Sequence, residues 1–134
     1  MNHTVRQFFA NYHLLREHGF EVFVREQTKL FSPELVTVTS DYRGTQSYHG
    51  SDGFFQGLAS WSKYFFVNGK SRHEFVEERA DHVFVRMHGD IGLLMPMGGQ
   101  RSSKVGQHAW TEEFYLSNDL IIKIDIELML HAAA

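Results

Sequence analysis

The chain has 134 residues, 43% hydrophobic and 14% aromatic, which is enough for one compact domain that we expect to span residues 1–134. Its 13 basic and 16 acidic side chains give a formal net charge of -3, and no run of Lys or Arg predicts a surface for nucleic acid or an anionic membrane. The absence of cysteine excludes disulfides, thiolate catalysis and Cys-ligated metals, and no apolar run is long enough to span a bilayer, so we expect a cytoplasmic protein.

The N-terminal segment predicts two helices. In residues 4–17 the apolar side chains recur at spacings of three and four, which indicates one amphipathic helix with Thr4 as its N-cap and Gly19 at its end. A weaker stripe of the same period predicts a second helix over residues 21–30, and Ser32-Pro33 ends it.

The period then changes to that of a strand. The β-branched run "ELVTVTSDY" predicts a strand from Leu35 to about Asp41, and "TQSYHG" predicts a short partner strand. Ser51 is a candidate cap for a third helix over residues 52–64. The rest of the chain indicates an antiparallel meander, with tight turns at "RADH" and "LSNDL" and strands over residues 72–79, 82–94, 105–116 and 120–130.

This element order predicts an α+β fold, in which three helices pack on a curved, mostly antiparallel sheet. Between the second and third strands of the meander lies the Gly/Ser-rich stretch "MPMGGQRSSK". Such composition is typical of a flexible hairpin tip, so the loop Gly98–Lys104 is a candidate lid.

The stretch "QHAWTEEF" suggests a functional site. Its alternation places His108, Trp110, Glu112 and Phe114 on one strand face, while the opposite set is more polar, so the first set suits the covered face. A carboxyl between two aromatic rings is desolvated, which favours its neutral form and suits a general acid. The alternative is a twist that turns Glu112 to solvent and buries Glu113.

Three further residues are candidates for catalysis. Tyr12 lies in the apolar stripe of the first helix, where it is either a core tyrosine bonded to a carbonyl or a donor for oxyanion charge. Asp41 ends its strand, where it either fixes a turn or acts as a general base. His108 shares the face of Glu112 and could act as an acid or a base.

The sequence predicts neither a metal nor a cofactor. None of the nine His residues is spaced from another His or a carboxylate as in a known metal site. The stretch "GLLMPMGG" is not a phosphate loop, because it lacks the Lys-Ser/Thr ending and a following helix.

The helices, the four long strands and the short motifs "YHG" and "HAW" resemble the nuclear-transport-factor-2-like superfamily over nearly the whole chain. Within it the chain looks most similar to SnoaL-like proteins and ketosteroid isomerases. That resemblance implies an α+β cone with a mostly apolar pocket between the sheet and the helices. The superfamily houses isomerases, cyclases and hydrolases as well as proteins that only bind or dimerise, so the reaction does not follow from the fold.

The ketosteroid isomerase pattern assigns roles to single residues. Its helical Tyr precedes a Gly by seven positions, as Tyr12 precedes Gly19. Its protonated acid lies two residues before a Phe, which matches Glu112, although the family has Asp there. For the base, counting back from the Gly that matches Gly50 gives Asp41, whereas counting forward from the Phe that matches Phe31 gives Thr39.

We therefore expect a SnoaL-like enzyme that performs cofactor-free acid-base chemistry (isomerisation, cyclisation or hydrolysis) on a small apolar molecule. The resemblance implies a pocket, and we expect it to be lined by Phe8, Trp61, Phe65, Trp110 and Phe114. The alternative is a module of the same fold that binds a hydrophobic ligand or dimerises without turnover.

The apolar residues of the last strand, "LIIKIDIELML", predict that a second copy of the chain binds to the sheet. It places Ile122, Ile124, Ile126 and Leu128 on one face and Ile121 and Met129 on the other. Because helices cover only one face of the sheet, apolar residues on both faces predict homodimerisation through the second face, as in many members of the superfamily.

Overall fold

The computed structural model describes residues 1–41, 43–93 and 107–128, so the predicted lid Gly98–Lys104 lies outside the described residues. The described part of the chain forms four helices and six strands, which confirms the α+β class. In chain order they are α1 (His3–Ala10), α2 (Tyr12–His18), α3 (Phe20–Thr28), β1 (Phe31–Asp41), β2 (Gly44–His49), α4 (Gly50–Tyr64), β3 (Phe65–Glu78), β4 (His82–Leu93), β5 (Gln107–Ser117) and β6 (Leu120–Leu128).

The six strands form one mixed sheet in the order β2-β1-β6-β5-β4-β3. Strands β1 and β6 are parallel, and every other described pair is antiparallel. The turn between β5 and β6 is the two-residue loop Asn118-Asp119, whose positive φ angles of 51° and 62° are those of a tight hairpin turn. The turn predicted at "LSNDL" is therefore present.

The helices cover one face of the sheet, which we call the inner face. Alternate residues of β1, β5 and β6 are buried there, among them Thr37, Phe114 and Ile124. They join side chains of α1 and α4 in the main core, including Phe8 and Phe54. Helix α4 also lies close against β2. No helix in the described residues is long and apolar enough to cross a membrane.

The helix predicted over residues 4–17 is interrupted. Its N-cap is Asn2 and not Thr4, because the Asn2 carboxamide accepts a hydrogen bond from the Val5 N–H at 3.0 Å. The Thr4 hydroxyl instead donates to the Asp119 carbonyl at 2.9 Å. The helix breaks at Asn11, which separates α1 from α2.

Further expectations were wrong in detail. Strands β1 and β3 begin at Phe31 and Phe65, earlier than the predicted Leu35 and Arg72. Helix α4 begins at Gly50 after His49, so Ser51 is inside the helix and not its cap. In β6, the pairing shifts between Tyr115 opposite Lys123 and Leu116 opposite Ile121. This bulge turns Ile121 into the core and leaves Ile122 37% exposed, so the two faces of β6 are not divided as the alternation predicts.

Candidate functional site

The strand pairing places a row of residues across the inner face. Thr39 of β1 pairs with Ile126 of β6, Ile126 pairs with Glu112 of β5, and Glu112 pairs with Val85 of β4. We call these four residues the Glu112 row. Because neighbouring strands lie about 4.8 Å apart, Thr39 and Glu112 are separated by roughly 10 Å along the sheet, with Ile126 between them.

Glu112 is buried on this face, with 8% of its surface exposed, so the predicted orientation of the strand is confirmed. Burial raises the pKa of its carboxyl to about 7, and hydrogen bonding from Trp110 partly opposes the rise. A carboxyl with this pKa is present in both protonation states near neutral pH. It can therefore donate a hydrogen bond as an acid or take up a proton as a base.

Tyr12 is the first residue of α2 and lies near Glu112. Its ring packs edge-on against Phe8, at 5.8 Å between centroids, and lies 5.0 Å from the Phe23 ring. Burial, together with the charge of Glu112, raises the pKa of the Tyr12 hydroxyl well above its usual range. The hydroxyl therefore stays protonated, and it can donate to an oxygen that gains negative charge.

The helix break that sets the position of Tyr12 is held by a buried amide pair. The Asn11 Nδ2 donates to Gln27 Oε1 at 2.8 Å, and the Gln27 Nε2 donates to the Phe8 carbonyl at 3.0 Å. Both amides are almost fully buried, at 2% exposure for Asn11 and 0% for Gln27. Sequence reasoning missed this pair, although a polar Asn11 one turn after Phe8 in the apolar stripe was a signal for it.

Asp41 also lies on the inner face, but its carboxylate is occupied. It accepts hydrogen bonds from the Arg43 backbone N–H at 2.9 Å and from Arg43 Nε and Nη2 at 3.0 and 2.8 Å. Burial opposes ionisation of Asp41, but these bonds outweigh it, and the pKa is lowered overall. Arg43 in turn donates to Ser60 of α4 and lies over the Tyr64 ring at 4.4 Å.

Of the two matches to the family's base, only Thr39 shares the row of Glu112. The Oγ1 atoms of Thr39 and Thr37 are buried and have no hydrogen-bond partner among the described residues. The two residues are 7% and 2% exposed. Buried hydroxyls without a partner are rare, because each loses its hydrogen bonds to water without a replacement.

The predicted pocket residues fall into two groups. Phe8, Phe65 and Phe114 are at most 1% exposed in the core. Trp61 and Trp110 are partly buried and pack against a second cluster formed by Phe65, Ile91 and Leu128. Ile126 is partly exposed, although it lies on a central strand and on the covered face, which indicates incomplete packing above the Glu112 row.

Two further site predictions concern the role of His108 and the binding of a metal ion. The backbone of His108 lies in β5 opposite Gly89, but its side chain lies outside the described part of the structure. Within the described residues, no group of three or more His, Asp or Glu side chains is arranged to hold a metal ion.

No protein-family model matches the sequence, and no curated protein matches it. Solved structures do match its fold. A nuclear-transport-factor-2-like protein from Burkholderia xenovorans has a TM-score of 0.67 at 10% identity, with 98% of this chain and 94% of that chain covered. A protein described as a SnoaL-like polyketide cyclase from Mesorhizobium loti has a TM-score of 0.60 at 14% identity, with 91% and 96% covered.

A protein from Catenulispora acidiphila with a ketosteroid isomerase-like fold, solved in complex with trimethylamine, has a TM-score of 0.57 at 11% identity, with 93% and 87% covered. At such low identities the likeness concerns the fold and not the reaction. The element order, the mixed six-stranded sheet and these neighbours agree with the resemblance seen in the sequence. The chain therefore has the nuclear-transport-factor-2-like fold.

Proposed function

We propose that this protein is a small-molecule enzyme that performs acid-base chemistry without a cofactor on an apolar substrate, of the isomerase, cyclase or hydrolase type. The observation that carries the proposal is the buried Glu112 carboxyl with a pKa of about 7, near the protonated hydroxyl of Tyr12. Perturbed carboxyl groups of this kind concentrate at functional sites.

In the proposed reaction, a substrate carbonyl oxygen accepts hydrogen bonds from the Tyr12 hydroxyl and from the neutral Glu112 carboxyl. A base removes a proton from the adjacent carbon, the electron pair of that C–H bond forms the enolate, and the two donors stabilise the charge on its oxygen. Return of the proton to another carbon completes an isomerisation. The low dielectric of the buried site strengthens both hydrogen bonds.

We assign the base role to Asp41, with His108 as the second candidate. Asp41 lies two residues beyond Thr39 on the same strand face, about 7 Å along β1, and its lowered pKa keeps it ionised at neutral pH. Its hydrogen bonds to Arg43 limit its basicity. This ion pair and the offset of Asp41 from the Glu112 row both argue for a modest acceleration of the proton transfer. The support for His108 is the alternation of "QHAWTEEF" in the sequence, in which it has the parity of Glu112.

The proposal is tested with 2-tetralone, an apolar ketone whose α-protons exchange with D2O through the enolate. We expect the wild-type protein to accelerate this exchange, followed by proton NMR. Tyr12→Phe should slow it by about 10- to 1000-fold, because it removes one donor to the oxyanion. Glu112→Gln should also slow it, because it replaces the acidic O–H donor with a more weakly acidic amide N–H donor. Glu113→Gln is the matched control, since Glu113 is the next residue on the opposite face and bonds to His82 and Tyr115.

The alternative function is a module that binds a hydrophobic ligand or dimerises without turnover. The observation that favours it is the Asp41–Arg43 ion pair, together with the complete burial of Phe8, Phe65 and Phe114 among the predicted pocket residues. Binding of 2-tetralone, seen as line broadening, with exchange no faster than in buffer would favour the module and contradict the enzyme.

A further inference from the structure

Gln27 is a fully buried amide of α3 that bonds to the end of α1. Its Nε2 donates to the Phe8 carbonyl at 3.0 Å, and its Oε1 accepts from Asn11 Nδ2 at 2.8 Å. In an uninterrupted helix, the Phe8 carbonyl would accept from the backbone N–H of Tyr12. The Gln27 amide therefore donates to the acceptor that helix geometry assigns to Tyr12, at the point where α1 ends and α2 begins.

Asn11, the residue between these two helices, is bonded on both sides. Its Oδ1 accepts from Gln7 Nε2 of α1 at 2.7 Å, while its Nδ2 donates to Gln27 of α3. Its backbone carbonyl accepts from the Leu14 N–H of α2 at 2.9 Å. Because α1, α2 and α3 all bond to this one buried residue, they fix where the next residue, Tyr12, starts α2.

The Tyr12 hydroxyl has no hydrogen-bond partner among the described residues. Its ring is held by contacts with Phe8 and Phe23. The Phe8 ring in turn lies 5.0 Å from that of Phe114, the inner-face residue that follows Glu112 on β5. Since no side-chain bond holds the hydroxyl, its place beside Glu112 depends on this ring packing and on where α2 begins.

We propose that Gln27 is a positioning residue for the proposed reaction, because it fixes the start of α2 and with it the Tyr12 hydroxyl. It acts through Tyr12 and does not bond to the substrate itself, since both its Nε2 and its Oε1 are already bonded within the protein. This inference rests on the proposed function for the role of Tyr12, and it adds a residue of α3 that determines the rate without touching the reacting atoms.

The position of Tyr12 is tested first without a substrate, by carbon NMR of tyrosine labelled at Cζ, with Tyr12→Phe to assign the signal. Burial raises the pKa of Tyr12, so in wild type it should stay protonated at pH 10.5, where most of an exposed tyrosine is ionised. Gln27→Met keeps the length of the side chain but loses both hydrogen bonds, so Tyr12 should ionise at this pH. Continued protonation of Tyr12 in Gln27→Met would overturn the proposal.

The control for a general loss of stability is Asn2→Ala. Asn2 is another buried polar residue, and it caps the far end of α1 by accepting from the Val5 N–H. Its Nδ2 also donates to the Arg79 carbonyl, so the variant loses hydrogen bonds at a buried site remote from Tyr12. In Asn2→Ala, Tyr12 should stay protonated at pH 10.5.

The 2-tetralone exchange at pH 6 then measures the effect on the rate. Gln27→Met should slow the exchange by about 10- to 1000-fold, as Tyr12→Phe does. Added to Tyr12→Phe, it should cause no further loss, because no hydroxyl is left to position. Gln27→Glu should recover most of the rate, since a buried neutral acid accepts from Asn11 and donates to the Phe8 carbonyl.

An equal loss from Gln27→Met with and without the Tyr12 hydroxyl would overturn the proposal, because a residue that only stabilises the fold gives that pattern. If Gln27→Met does not fold, Asn11→Ala breaks the same pair from the other side, and the same results are expected of it. If wild type does not accelerate the exchange, the proposed function fails. The titration of Tyr12 still shows in that case whether Gln27 positions it.

Discussion

Two carboxyl groups on the inner face have opposite pKa shifts because their surroundings differ. Glu112 lies between Val85 and Ile126 in its row, and burial outweighs the hydrogen bond from Trp110 and raises its pKa to about 7. Asp41 is also buried, but three hydrogen bonds from Arg43 favour its charged form, and its pKa is lowered. The orientation of Glu112 could be predicted from the alternation in "QHAWTEEF". The turn at Asp41 was one of its two predicted roles, and the bond from the Arg43 backbone N–H agrees with it. The ion pair with the Arg43 side chain could not be predicted, because no residue pattern fixes which turn residue folds back onto a strand end.

Glu112 should make the stability of the protein depend on pH. Its pKa is raised from 4.5 to about 7 on folding, so its stabilising contribution is complete below pH 4.5 and is lost as the pH rises through 7. We expect wild type to lose about 3 kcal/mol relative to Glu112→Gln between pH 4.5 and pH 8, measured by urea unfolding. Glu127→Gln, at an exposed position on β6, is the control for loss of a carboxyl at the surface. A pH-independent difference for Glu112→Gln would contradict the buried carboxyl.

Asp41 should have the opposite pH dependence. Its lowered pKa means that its contribution is present above the ordinary value of 3.8 and is lost as the pH falls through the lower folded value. At pH 7, Asp41→Asn should lower the free energy of unfolding by about 1–3 kcal/mol, because it leaves the buried Arg43 guanidinium without its counter-charge. Unfolding in urea at pH 7 and pH 3 checks this. A variant as stable as wild type at pH 7 would show that the ion pair is not structural.

At the scale of elements, the periodicity of the sequence predicts which segments are helices and which are strands. The structure differs from that prediction where an element is irregular. The break at Asn11 depends on Gln27, which is far along the chain and bonds the carbonyl that the break leaves free. The bulge at Ile122 depends on the pairing of β5 with β6. Both are tertiary effects, so a pattern within one segment does not contain them. The "LSNDL" turn is local, and the sequence predicted it correctly.

Gln27→Leu should destabilise the protein although it places an apolar residue in the core. It removes the donor to the Phe8 carbonyl and the acceptor for Asn11, and both groups stay buried. We expect a loss of about 2–4 kcal/mol in the free energy of unfolding, from two unsatisfied polar groups. Gln56→Ala on the exposed side of α4 is the control and should change it by less than about 0.5 kcal/mol. A stabilised Gln27→Leu would show that the amide pair is dispensable.

At the scale of the whole molecule, the fold could be predicted because element order and strand alternation agree. What covers the outer face of the sheet could not be predicted in the same way. The bulge in β6 removes part of the argument for homodimerisation, because Ile121 belongs to the core. The outer face carries polar groups such as the His82–Glu113 pair, at 2.8 Å, beside partly buried apolar residues that include Phe84 and Val38. We therefore still propose dimerisation through this face, and the proposal now rests on Phe84 and Val38.

We expect a dimer in sedimentation velocity at about 50 µM, a concentration at which interfaces of standard size are formed. Phe84→Glu should shift the protein to the monomer without loss of its far-UV circular dichroism, because a charge would lie in the apolar part of the interface. The control is Arg72→Glu, at an exposed position on β3. Sedimentation of wild type as a monomer would contradict the proposed interface.

The central claim is that Glu112 lies in a dry site where it stays protonated up to neutral pH. We would measure its pKa in the ligand-free protein by carboxyl carbon NMR across a pH titration, with Glu112→Gln to assign the signal. The structure gives a midpoint of about 7. A midpoint near 4.3, that of a solvated glutamate, would contradict the acid role and favour the non-catalytic binding module.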